Sequence, residues 1–290
     1  MVSTTPIVVG VDGSPPSSQA VRWGVAEAVL RSAPLLLLAC VSYRGAESLP
    51  LVGAELRARA ERDLAAATEL ARDHDPRGVV HIRTELHWQY APAVLVDRSA
   101  SARMIVLGRR GLGEFTGGLI GSVTSAVARH AHCPVAVIEG APPSAEETGV
   151  GPVVVGVDGS DNSAPAIELA FEESALRRTT LIALHAWADQ DLSAVPLETG
   201  PERWKAVAES EQALLGESLT GCAEQYPDVP VQQVLVRDRP VRHLLAQAEE
   251  AQLLVVGTRG RGGFKGMTLG STSAALLHTA PCPLIVVPRC

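Results

Sequence analysis

Met104-Ile105-Val106-Leu107-Gly108-Arg109-Arg110-Gly111, followed after nine residues by Gly121-Ser122, decides the fold. An apolar run ends at a glycine, and a second glycine follows after two intervening residues. A third glycine then precedes a hydroxyl residue and an amphipathic stretch, Ser122 to Ala131. The order is strand, glycine loop, helix start. Such a loop turns backbone N–H groups inward, and the helix start adds unpaired donors with a partial positive charge. Together they make a phosphate cradle. The string recurs as Leu253-Leu254-Val255-Val256-Gly257-Thr258-Arg259-Gly260, then nine residues, then Gly270-Ser271 and a helical stretch to Thr279. Identical spacing, one domain length apart, describes a duplicated phosphate-binding module.

Outward from these strings the halves align throughout. Ile7-Val8-Val9-Gly10-Val11-Asp12-Gly13-Ser14 matches Val153-Val154-Val155-Gly156-Val157-Asp158-Gly159-Ser160. Leu35 to Val41 matches Leu181 to Trp187, and Pro92 matches Pro240. His132-Cys133-Pro134-Val135 matches Pro281-Cys282-Pro283-Leu284. Gly140 to Gly151 is rich in Pro, Gly, Ser and Glu, a linker by composition. The expected division is a first domain over 1–140, a linker over 141–151 and a second domain over 152–290. A chain of 290 residues suits two domains of about 150, each able to bury its own core.

Apolar runs and helical patterns alternate within each half. Strands are predicted near Ile7–Asp12, Leu35–Val41, Val79–Glu85, Met104–Gly108 and Pro134–Glu139. Helices are predicted near Ser18–Arg31, Ala54–Asp73, Ala91–Ala100 and Ser122–Ala131. Continuous Val, Ile and Leu read as strands buried on both faces, hence a parallel sheet. Each half is therefore predicted as a doubly wound α/β domain, a five-stranded parallel sheet between helices. Ligands bind such sheets at the carboxyl ends of the strands, where strand order reverses. Asp12 ends the first strand and Gly108 the fourth. As neighbours across that reversal, they would converge on one crevice.

Composition bounds the function. Hydrophobic residues make up 46% and aromatics 3%, so the chain is globular with an aliphatic core. A net charge of −7 repels nucleic acid and anionic membrane, and neither is an expected partner. Met1 to Gln19 has no Lys or Arg and no long apolar core, so no signal peptide is expected. The longest apolar run, Leu35 to Val41, is too short to span a bilayer. The cysteines are five, odd in number and scattered, so no disulfide framework is expected. Cys40, Cys133 and Cys282 read as small buried hydrophobes. The expected location is cytoplasmic.

Familiar motifs fail. No Gly-Lys-Ser/Thr triplet of a Walker A loop is present, and the dinucleotide fingerprint would need glycine at Thr116 or Lys265 and would follow the first strand. Neither a Gly-x-Ser-x-Gly elbow nor a His-Glu-x-x-His appears. His130-x-His132-Cys133 has metal-ligand spacing, but the second copy holds Thr279, Pro281 and Cys282. A structural helix end with an exposed histidine is the better reading. Glu172-Glu173 and Glu249-Glu250 read as solvated helix faces. Asp-Gly-Ser after a strand reads, by itself, as a turn and helix cap.

What matches is Gly-x2-Gly-x9-Gly-Ser after the fourth strand, with Val-x-Val-Asp-Gly-Ser at the first. The pair resembles the ATP-binding branch of the universal stress protein family, over nearly the whole chain, as a tandem two-domain member. The resemblance implies a Rossmann-like fold, similar to adenine nucleotide alpha hydrolases. It also implies ATP binding without vigorous hydrolysis, in stress, dormancy or growth regulation. Asp12 and Asp158 would then meet the ribose hydroxyls or adenine edge, where an acceptor-only carboxylate fits. Backbone at Cys40 and Ala186 would face adenine. Gly108, Gly111, Gly257 and Gly260 would wrap the phosphates, where a side chain would block close approach. Gly121 and Ser122, with Gly270 and Ser271, would give N–H and hydroxyl donors. Val123 and Thr272 would add the next amides, and Mg²⁺ would bridge the phosphates. Arg109, Arg110, Arg259, Arg261 and Lys265 either grip phosphates or are solvated loop charges.

The chain departs from the family in two places. Many members carry Gly-x-Pro after the third strand; here the residues are Tyr90-Ala91-Pro92 and Asp238-Arg239-Pro240. That bears on loop shape. Trp187 replaces Val41 beside the expected adenine wall, where it would narrow the second pocket or stack nearby. The apolar fifth strands, Pro134 to Glu139 and Pro283 to Pro288, are expected at sheet edges. The resemblance implies that the halves pair edge to edge as an intrachain pseudo-dimer, with a further homodimer and an unidentified regulatory protein partner. Two other readings stay open. One is a slow ATPase or nucleotidyl transferase on a related fold, although no base or nucleophile beyond Asp12 and Asp158 repeats in both halves. The other is a nucleotide-free interaction scaffold.

Overall fold

Unbroken aliphatic runs with no polar residue to face solvent build the centre of each sheet. In this computed structural model the chain divides into two units, Met1–Thr148 and Gly149–Cys290. The structure describes residues 5–41, 50–111, 120–139, 151–187, 201–261 and 268–289. Lys265, linker residues 140–150 and most of each nine-residue interval, 112–119 and 262–267, lie outside the described residues.

The first unit runs β1 (Ile7–Val11), α1 (Pro15–Arg31), β2 (Leu35–Cys40), α2 (Pro50–Asp73), β3 (Ile82–His87), α3 (Ala91–Ser99), β4 (Met104–Gly108), α4 (Ser122–His130) and β5 (Val135–Ile138). Its strands are parallel in the order β3-β2-β1-β4-β5. The second unit runs β6 (Val153–Val157), a 3-10 turn (Asp161–Ser163), α5 (Ala164–Arg177), β7 (Leu181–Trp187), α6 (Pro201–Gln225), β8 (Val231–Arg237), α7 (Pro240–Ala248), β9 (Leu253–Gly257), α8 (Ser271–Thr279) and β10 (Leu284–Val287). Its parallel order is β8-β7-β6-β9-β10. Each unit is the doubly wound fold expected, and the order reverses between β1 and β4, and between β6 and β9.

The central strands are buried along their length, with Ile7, Leu35, Ile105, Leu181 and Leu253 fully enclosed. β3 departs from expectation. It begins at Ile82 because Val79 is exposed and Val80 is held in a turn, its N–H donating to Asp75 Oδ2 at 2.7 Å. As an outer strand with Arg83 and Thr84 exposed, β3 has no apolar run to mark it. Helix α1 begins earlier than expected. Ser14 caps it, accepting from Ser17 N–H at 3.3 Å, and Pro15 and Pro16 occupy the first turn, where a missing N–H breaks no helical bond.

Glu173 corrects the reading of Glu172-Glu173 as a solvated face. It is fully buried on α5 and pairs with Arg177 one turn on. Its counterpart Glu27 is equally buried and pairs with Arg31 at 2.5 Å. The charge is tolerated because each acid carries its cation at i+4 on the same helix.

Candidate functional site

β1 and β4 lie side by side, Ile7 to Val9 against Met104 to Val106, so their carboxyl ends open together. β6 and β9 repeat this with Val153 to Val155 against Leu253 to Val255. At the end of β1, Asp12 Oδ1 accepts from Ser14 N–H at 3.0 Å and Ser14 Oγ at 2.6 Å. At the end of β6, Asp158 Oδ1 accepts from Ser160 N–H at 2.9 Å and Ser160 Oγ at 2.8 Å. The glycines between take positive φ, +78° at Gly13 and +70° at Gly159, which side chains disfavour. Oδ1 thus builds the turn in both copies, and in the second Oδ2 also accepts from Ser160 Oγ, at 3.0 Å. Oδ2 faces the glycine loop. A Cβ on Gly260 would sit 2.9 Å from Asp158 Oδ2, and one on Gly111 would overlap Asp12 Oδ2. The first-strand and fourth-strand motifs do converge.

The glycines divide by role, and two predicted donors need correction. A Cβ on Gly108 would fall 2.7 Å from the carbonyl carbon of Pro16, so the missing side chain there admits the start of α1. Gly257 is looser, with Asn162 O and Arg259 O at 3.3 Å from its would-be Cβ. Gly121 does not offer its N–H outward, because it donates to Arg109 O at 2.8 Å. Gly270 N–H likewise donates to Thr258 O at 2.7 Å. Each of these two bonds ties the far end of the loop to its near end.

The donors begin one residue later. Ser122 and Val123 open α4, and Ser271 and Thr272 open α8, where N–H groups have no acceptor within the helix. The third helical residue was missed from sequence. Thr124 Oγ1 donates to Gly108 O at 2.8 Å, and Ser273 Oγ to Gly257 O at 2.6 Å, pinning each helix start to its strand. A hydroxyl at that position in both copies was the available signal.

In the second unit these parts enclose a cavity of about 360 Å³, within the ~300–1,000 Å³ of small-molecule sites. Asp158, Ala186, Gly257, Gly260, Gly270, Ser271 and Thr272 all line it. Leu184, Leu244 and Val256 supply apolar wall. In the first unit Cys40 holds the place of Ala186, one residue past the last β1–β2 pair, Val11 with Ala39. Burial pushes its thiol up to about 11, so it stays protonated at neutral pH.

The arginines part company. Arg109 is buried and pairs with Glu139, and Arg110 lies 3.6 Å from the same carboxylate. Arg259 and Arg261 line the second cavity. Arg261 Nη2 donates to Gly159 O at 3.3 Å, and Nη1 lies 3.8 Å from Glu211. Buried His185 holds that Glu211 carboxylate at 2.7 Å and the Val157 carbonyl at 2.8 Å. Where the family's loop glycine is missing the copies differ: Asp238 and Arg239 adopt left-handed φ of +54° and +48°, whereas Tyr90 is extended with φ of −62°. Trp187 packs under Arg237, 5.8 Å from its guanidinium. His130 and His132 are exposed while Cys133 is buried, so they form no ligand set.

The pattern of the universal stress protein family matches residues 4–139 and again 149–288. Universal stress protein Rv2623 of Mycobacterium tuberculosis is 39% identical over 290 residues, spanning 98% of this chain and 96% of that protein. Universal stress protein Mb2019 of Mycobacterium bovis is 40% identical over 299 residues, spanning 97% and 94%. In fold, the crystal structure of a universal stress protein from Archaeoglobus fulgidus is similar, with a TM-score of 0.71 at 19% identity over 98% of this chain and 96% of that one. Two tandem matches, and relatives aligned over nearly their whole length, place the chain in the universal stress protein family, as a two-domain member.

Proposed function

We propose that this chain is an ATP-binding regulator with one nucleotide site per unit, a binder rather than a turnover enzyme. The observation that carries the reading is the second cavity, where an aspartate oxygen, a glycine loop and a helix start meet. Asp158 would accept from the ribose hydroxyls, the Leu184 side of the wall would take adenine, and Ser271 and Thr272 would donate to phosphate. Asp12, Cys40, Gly111, Ser122 and Val123 would do the same in the first unit. Among the described residues no group of three His, Cys, Asp or Glu could hold a metal. Mg²⁺ would therefore travel with the phosphates, which share its coordination with water. No helix among the described residues is long and apolar enough to cross a membrane, and we place the protein in the cytoplasm. The proposal includes control of stress response, dormancy or growth, through a protein partner that reads nucleotide occupancy.

Mass spectrometry of the purified, denatured protein should release adenine nucleotide. Calorimetry with MgATP should show Asp12→Ala weakening one site and Asp158→Ala the other. Loss of a charged hydrogen-bond acceptor costs about 1.5–3 kcal/mol, roughly tenfold to a hundredfold in affinity. No released nucleotide and no heat would leave the scaffold reading. Steady, rapid phosphate release would instead favour the enzyme.

Assembly belongs to the same proposal. β5 and β10 are each the last strand of their own unit's order, short and wholly aliphatic. An apolar edge strand seeks a partner. The expected pseudo-dimer of halves follows from it, and two equivalent apolar faces left on the duplicated chain would give the closed two-fold homodimer. Light scattering at micromolar concentration should report twice the 30.4 kDa of one chain; a single-chain mass removes the homodimer.

A further inference from the structure

Duplication gives the molecule its own control, and the two sites differ in charge at matched positions. At the aspartate turn, a Cβ on Gly13 would lie 2.6–2.7 Å from the carboxyl of Asp63 on α2. The matched neighbours of Gly159 are Leu214 of α6 and the guanidinium of Arg261. At the loop, buried Arg109 pairs closely with Glu139, and Arg110, the match of Arg259, lies 3.6 Å from the same carboxylate. The residue at that place in the second unit is Pro288, which has no charge, and Arg259 lines the cavity. After the second glycine comes Leu112 in one copy, outside the described residues, and Arg261 in the other.

Countercharges do not level the difference. Asp63 has Arg59 3.9 Å away, more than half exposed, where water screens the pair. Arg261 has Glu211 3.8 Å away, but His185 holds that carboxylate closer, at 2.7 Å. The first turn thus faces a carboxylate, and the second cavity carries two guanidinium groups on its wall.

We infer that the two nucleotide sites are inequivalent: the second takes the polyphosphate more tightly because Arg259 and Arg261 meet it, whereas among the described residues the first has Arg110 alone at the matched places. The inference rests on the ATP reading above. Guanidinium–phosphate hydrogen bonds are charge-assisted and often bidentate, whereas a nearby carboxylate repels the same oxygens.

Calorimetry of the full chain with MgATP tests it, with adenosine as the phosphate-free probe. Wild type should show two classes of site about tenfold apart. Arg261→Leu installs the first copy's residue on a side chain that is 40% exposed, so the fold should survive. It should weaken the tighter class by about tenfold while adenosine binding stays as in wild type. Asp63→Leu, the reciprocal change, should strengthen the weaker class. Two equal sites in wild type, or Arg261→Leu binding MgATP like wild type, overturns the inequivalence and leaves the ATP reading standing. Equal loss of ATP and adenosine in Arg261→Leu also overturns it, because the arginine then shapes the pocket without meeting phosphate. Absence of any MgATP binding in wild type removes both.

Discussion

Gly111→Ala is expected to bind MgATP at the first site at least about tenfold more weakly than wild type, with little change in stability. The new methyl would overlap Asp12 Oδ2. The carboxylate has little room to yield, because its other oxygen is held by Ser14 N–H and Oγ at 3.0 and 2.6 Å. It must either break that turn or swing away from the position proposed for the ribose. Gly111 is exposed, so no core contact is lost. Gly260→Ala should do the same at the second site and somewhat less severely, since its Cβ would stand 2.9 Å from Asp158 Oδ2. Calorimetry and denaturant unfolding of the same samples check both halves of this expectation. Wild-type affinity in both variants would detach the loop glycines from the aspartates.

Gly108→Ala should show the opposite profile, a large loss of stability in the first unit. Its Cβ would meet the backbone of Pro16, at 2.7 Å from the carbonyl carbon and 2.8 Å from the oxygen. Pro16 stands in the first turn of α1 with φ fixed by its ring, so the backbone there cannot step aside cheaply. Overpacking of this kind costs about 1–3 kcal/mol. Gly257→Ala, whose nearest neighbours stand at 3.3 Å, should cost well under half as much. Urea unfolding followed unit by unit separates the two. Equal losses would mean that the helix start is not what excludes a side chain at Gly108.

These two glycines show where sequence reading succeeds and where it stops. The repeat, the parallel order and the meeting of Asp12 with the glycine loop were legible because each rests on period and spacing. The division of labour among the glycines was not. Gly108 and Gly111 look alike in the string, and only the path of α1 tells them apart. Glu27 and Glu173 were illegible for a related reason. An acid four residues before an arginine reads as a solvated pair, and only packing against the sheet buries it. β3 was misplaced because an outer strand carries no unbroken apolar run. The charge difference between the sites was hidden as well. Asp63 and Leu214 sit on long helices whose register against the turns cannot be counted from the motifs.

The bonds from Gly121 to Arg109 and from Gly270 to Thr258 bear on loop length. Each is a clasp that fixes both ends of an excursion whatever lies between. The entropy of closing a flexible segment grows slowly, by only about 0.6 kcal/mol for each doubling of length. A clasp alone would therefore tolerate insertions and deletions freely. Yet both copies keep nine residues between the second and third glycines, while their sequences have drifted apart. The clasps therefore do not by themselves account for the shared length.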